Sequence, residues 1–320
     1  MGSRRIATML VLLALLAVLA APAVLVAQVG QYVASPLSAG QRVVLVANRF
    51  SDFLVTESPT GRLAALAREA ELLGQAVVAV QAEAGATPLD HWAASGRQAS
   101  SSAARAALAA GGVDVLMLSL GPNGPDEGVD RFADLMIATN MQGRILVQDT
   151  WSTDAATGVD AARLERLRAR LTAINERAGH EMAYFVPAAD AVERLRWEVA
   201  LGNVPGVARQ PDLFVDEAAA GPVASLVTYL WFTVLYRQPA TGLTALVDPR
   251  DPTSAPREQV LQRIAWDAAA AEPMSGIMLD HIWLGRTRGV HPHAAEAGEG
   301  HEGHGATGLH PLQMPPGGRE

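Results

Sequence analysis

Five consecutive apolar residues, Val43, Val44, Leu45, Val46 and Ala47, run directly into Asn48 and Arg49. A strand with one wet face alternates apolar and polar side chains. An unbroken apolar run must be covered on both faces, which places it inside a parallel sheet with helices on either side. Polar residues spilling from its C-terminal end, ahead of a helix-patterned segment from Gly61 to Leu73, stand where open α/β sheets carry their chemistry.

The rest of the chain repeats the theme. Short apolar runs at 77–80, 114–118, 144–148 and 182–186 read as further strands. Between and after them, helical periodicity covers Ser101–Ala110, Gly128–Thr139, Ala161–Ala178, Ser225–Tyr236 and Glu258–Ala271. This alternation predicts an α/β fold of three layers, with a mostly parallel five-stranded sheet between helices.

Composition bounds the function. A 320-residue chain that is 49% hydrophobic buries one sizeable core. A formal net charge of -8 speaks against general nucleic-acid binding, which needs clustered basic surface. With no cysteine, neither disulfides nor thiolate metal sites nor cysteine nucleophiles can form.

The two ends differ from the body. Arg4 and Arg5 precede an apolar run from Ile6 to Val29, interrupted by Pro22 and Gln28. A cleaved export signal, with small-residue cleavage near Ala23 or Ala27, and a retained membrane anchor both fit this pattern. Residues 1–29 are therefore read as signal peptide or anchor, 30–41 as linker, 42–288 as the folded domain and 289–320 as a disordered tail. The tail is rich in Gly, Pro, His and Glu. Its His291, His293, His301, His304 and His310 are candidate ligands for Zn²⁺, Ni²⁺ or Cu²⁺, at irregular spacing; no other cofactor is expected.

Ordered blocks across the domain carry a resemblance. They are Ala47-Asn48-Arg49-Phe50-Ser51, Gly85 to Trp92 with Leu89 and His91, Thr150-Trp151, Pro187 to Arg196, Gly202 to Val207, and Leu213-Phe214-Val215-Asp216. The series resembles the SGNH, or GDSL-like, hydrolases, in the subgroup whose nucleophile turn reads Gly-Asn-Ser-Phe. The resemblance implies a three-layer, flavodoxin-like fold. It also implies a serine triad, with oxyanion donors from the asparagine and from a glycine matched here by Gly85. Arg49 stands at the nucleophile's position, and no histidine follows Asp216, where the family's catalytic base belongs. An arginine guanidinium stays protonated and cannot attack an acyl carbon.

The candidate site is therefore a vestigial cleft of Asn48, Arg49, Gly85 and Asp216. His91, Ser119 and Asn123 are further ligand-binding candidates, and Ser51 is the alternative nucleophile. The expected function is an exported non-catalytic domain that binds an envelope carbohydrate or protein partner, or serves in assembly. The alternative is an esterase or acetyl-hydrolase of envelope carbohydrate with a displaced nucleophile. Cell fractionation is expected to recover the chain outside the cytoplasm, in the periplasm, secreted or anchored; an unprocessed cytoplasmic pool would refute the export signal.

Overall fold

The computed structural model describes residues 32–56, 61–94, 103–121, 127–153, 160–214 and 221–279. Seven strands are present among them: β1 Tyr32–Val33, β2 Arg42–Ala47, β3 Ala76–Ala82, β4 Val115–Ser119, β5 Arg144–Gln148, β6 Ala183–Val186 and β7 Met278–Leu279. The α-helices are α1 Phe53–Thr56, α2 Arg62–Glu69, α3 Pro88–Ala94, α4 Ala103–Ala110, α5 Glu127–Thr139, α6 Ala161–Ala178, α7 Ala188–Ala200, α8 Pro222–Tyr236 and α9 Ser254–Ala271.

The central sheet has the order β3-β2-β4-β5-β6, every pairing parallel. This is the flavodoxin-like arrangement, with the order reversing at β2. Alternate strand residues feed two separate cores. Val43, Leu45 and Ala47 join Met117, Leu146 and Val186 beneath α2, α7, α8 and α9. Val44 and Val46 join Leu118, Val147 and Phe185 beneath α4, α5 and α6. The expected three-layer architecture follows from this alternation. β2 needs apolar residues at every position because each neighbour faces a different core.

Helix α8 is buried from Val223 to Tyr236. A helix that is apolar all round needs cover on every side, and α9, α2 and α7 provide it around the sheet. Helix α2 ends earlier than its periodicity predicts, at Glu69. Leu72 N–H donates to Ala67 O and Glu71 N–H to Arg68 O, with Glu71 at φ 57. That is a Schellman stop, and a left-handed residue cannot continue the helix. Leu73, expected on the apolar face, is consequently 84% exposed.

Residues 32–40, read as linker, are tied to the domain. β1 pairs antiparallel with β7, Ala34 N–H donates to Ile277 O, and Leu37 N–H donates to Tyr236 O. Met278 and Leu279 form β7. No helix among the described residues is long and apolar enough to cross a membrane; residues 6–29 lie outside them.

Two helices meet at Gly128. A Cβ there would stand 2.1 Å from the Leu89 backbone nitrogen. Backbone cannot yield as a side chain can, so Gly128→Ala is expected to cost about 1–3 kcal/mol by forcing α3 and α5 apart. Chemical denaturation of the purified variant reads this directly.

Candidate functional site

The crevice at the carboxyl ends of β2 and β4 is the topological switch point, where sheets of this order take their ligands. β2 delivers Asn48 there and β4 delivers Ser119 and Leu120. Asn48 is 1% exposed. Its Nδ2 donates to Leu120 O at 2.9 Å and to Ala86 O at 3.2 Å, with Ser119 O at 3.5 Å. Its Oδ1 accepts the Phe50 N–H at 3.0 Å. Both ends of the amide are thus engaged by the protein's own backbone.

The turn after Asn48 is pinned from the other side. Ser51 and Asp52 N–H both donate to Asn48 O, each at 2.9 Å. Gln148 Nε2 donates to Phe50 O at 3.1 Å, while Gln148 Oε1 accepts from Trp231 Nε1. The Phe50 ring meets Trp151 edge-on at 4.9 Å between centroids. Four elements therefore lock one turn.

Ser51 and Ser119, the two hydroxyl candidates, are fully buried and bonded to each other, Ser119 Oγ donating to Ser51 Oγ. No histidine or carboxylate is hydrogen-bonded to the Ser51 hydroxyl among the described residues. Among the described residues the arrangement lacks the adjacent base that activates a serine.

Arg49 leans outward, half-buried, with Cζ 5.3 Å from the centre of the Phe50 ring and its N–H on Ala84 O. Gly85 lies in the exposed turn that follows β3. A Cβ at Gly85 would touch nothing within 4 Å, so the absence of a side chain serves no close approach. What faces Asn48 from this turn is the Ala86 carbonyl, an acceptor where an oxyanion site needs donors.

His91, a candidate ligand residue, proves to be a structural latch. It is 2% exposed, and its Nε2 lies 2.9 Å from Ala47 O. A carbonyl only accepts, so Nε2 carries the proton and Nδ1 accepts from Gln81 Nε2 at 3.3 Å. Burial lowers the pKa of His91 and favours this neutral form. The one other histidine among the described residues, His180, precedes β6 at the opposite end of the sheet, with Nδ1 3.1 Å from Ala178 O. Asp216, Asn123 and the tail histidines His291, His293, His301, His304 and His310 lie outside the described residues. Within the described residues no three potential metal ligands cluster.

One titratable group at this edge of the sheet was not singled out from the sequence. Asp149 follows β5 directly, the same strand-end position that drew attention to Asn48. Its Oδ1 accepts the Ala189 N–H at 2.9 Å, capping α7 from outside. Burial pushes its carboxyl up to about 7, against the lowering effect of backbone N–H groups of Ala189 and Ala188.

No protein-family model matches the chain, and no curated protein matches it. Among solved structures it is similar to an α/β hydrolase enzyme from the metagenome of Lake Arreo, Spain. That match has 14% identity and a TM-score of 0.36, covering 62% of this chain and 96% of the other. It is also similar to a variant of an acetyl xylan esterase from Geobacillus stearothermophilus, at 15% identity and TM-score 0.34 over 55% and 92% of the two chains. A third similarity is to a GDSL-like lipase structure from Parabacteroides merdae, at 11% identity and TM-score 0.34 over 72% and 96%. The chain thus has distant structural similarity to hydrolase, esterase and GDSL-like lipase folds.

Two measurements test this geometry. Asn48→Ala leaves two buried carbonyls and the Phe50 N–H without their partner, and should cost about 3 kcal/mol in denaturant unfolding. Asp149 binds its proton more tightly folded than unfolded, so its contribution to stability is full below about pH 4. That contribution is lost as pH rises towards about 7. Asp149→Asn should flatten the stability profile across that window.

Proposed function

We propose that this chain is a non-catalytic domain on a hydrolase-type α/β/α frame, exported to the cell envelope, where it binds a carbohydrate or protein partner or serves in assembly. The single observation that carries the reading is the engagement of Asn48. Its amide donates to Leu120 O and Ala86 O and accepts from Phe50 N–H, so the group expected to hold an oxyanion holds the backbone instead. The cation at Arg49 and the buried hydroxyl of Ser51 support the same conclusion. Export rests on Arg4, Arg5 and the apolar run behind them.

The competing reading is an esterase of envelope carbohydrate using Ser51. In its favour, Ser51 lies at the switch-point edge of the sheet, with a second hydroxyl, that of Ser119, hydrogen-bonded to it. Purified protein offered aryl acetates and acetylated xylan is expected to show no burst and no turnover above the uncatalysed rate, and Arg49→Ser is expected to restore none. A covalent acyl-enzyme needs an activated nucleophile, and that substitution supplies no base. Hydrolysis by the wild type, abolished in Ser51→Ala with the fold intact, would establish the esterase.

A further inference from the structure

Away from the switch-point crevice, the ends of three helices enclose a pocket of about 530 Å³. Arg62 opens α2, Ser225 stands in the first turn of α8, and Ser254, Arg257 and Glu258 come from the start of α9. The loop carrying Leu246, Val247 and Asp248 forms the remaining wall. None of these residues belongs to the Asn48 clasp. The volume lies within the range of about 300–1,000 Å³ usual for small-molecule sites.

The polar groups of this pocket are incompletely satisfied. Arg62 Nη1 donates to Ser225 Oγ at 3.2 Å, and Arg257 Nη1 reaches Asp251 Oδ2 at 2.9 Å. Glu258, however, is 3% exposed, and its Oε2 is buried with no hydrogen-bond partner among the described residues. Arg257 Nε is in the same condition, and its separation from Glu258 Oε1, 3.8 Å, is too long for a hydrogen bond. The hydroxyl of the buried Tyr229, which adjoins Glu258 and Gln262 behind the pocket wall, makes no close hydrogen bond either. Leaving such a group unmade costs about 1–3 kcal/mol, so three in one neighbourhood call for an explanation.

Donor and acceptor preferences identify the missing chemistry. Glu258 Oε2 as a carboxylate asks for a donor, and Arg257 Nε asks for an acceptor. A hydroxyl group supplies both functions. Charge is balanced on the walls, with Arg62 and Arg257 set against Asp248 and Glu258, so no net potential demands an ion. Leu246 and Val247 add an apolar patch suited to C–H faces. We propose that this pocket binds a neutral hydroxyl-rich small molecule of monosaccharide size, through Glu258 and Arg257. The inference is independent of the non-catalytic reading: an active esterase would carry the pocket equally.

Saturation-transfer NMR on the full chain with glucose, galactose, N-acetylglucosamine and mannitol, each up to about 50 mM, tests it. Transfer to at least one of these is expected. Val247→Trp, a change in a half-buried loop residue, should fill the pocket and abolish transfer with the melting temperature unchanged. Glu258→Gln, which keeps the size of the side chain and an acceptor oxygen beside Tyr229 and Ser225, should weaken binding about tenfold or more with the melting temperature unchanged. That split separates a ligand contact from a structural one. Absence of transfer with all four probes, or transfer that survives Val247→Trp, would overturn the proposal and assign the pocket to water alone.

Discussion

The side chain of Asn48 joins the three pieces of backbone on which the functional edge of this sheet depends. At the point where the strand order reverses, two neighbouring connections leave in opposite directions and open a crevice. One amide spans it, tying the exit of β2 to the exit of β4 and to the turn after β3. Both ends of that amide are then committed to holding shape. A binding crevice and a fully satisfied clasp compete for the same donors, and here the clasp has taken them. Low dielectric makes such a network costly to break once formed.

The two cores explain why the clasp can be so rigid. Strand residues alternate between them, and α8 lies buried along its length between the sheet and α9. Trp231 on that helix reaches Gln148, which in turn holds the Phe50 carbonyl. Packing of the interior helix is thereby transmitted to the strand-end turn. Fold and activity separate at this point: the α/β/α frame stands on apolar burial alone, whereas chemistry requires particular side chains left unengaged.

The pocket between α2, α8 and α9 has the opposite character. Its helix ends present groups that the protein does not satisfy, in space large enough for a ligand. Glu258 and Arg257 are adjacent on α9, yet their geometry denies them a mutual hydrogen bond. Arg257 Nε and Glu258 Oε2 are the atoms left to serve a third group.

By itself the sequence determined the layers. The unbroken run Val43–Ala47 can be satisfied only between two helical faces, and the apolar helix Ser225–Tyr236 only in the interior; both are local patterns of burial. It also determined that Arg49 cannot act as a nucleophile, a property of the guanidinium itself. Tertiary structure decided what Asn48 and His91 do, because their partners, Leu120 and Ala47, are remote in the chain and come within reach only when the strands align. It likewise decided the pocket, whose walls come from Arg62, Ser225 and Glu258. No periodicity or motif links such positions. Their meeting is set by the packing of α8 against its neighbours, and so is the satisfaction or frustration of each polar atom there.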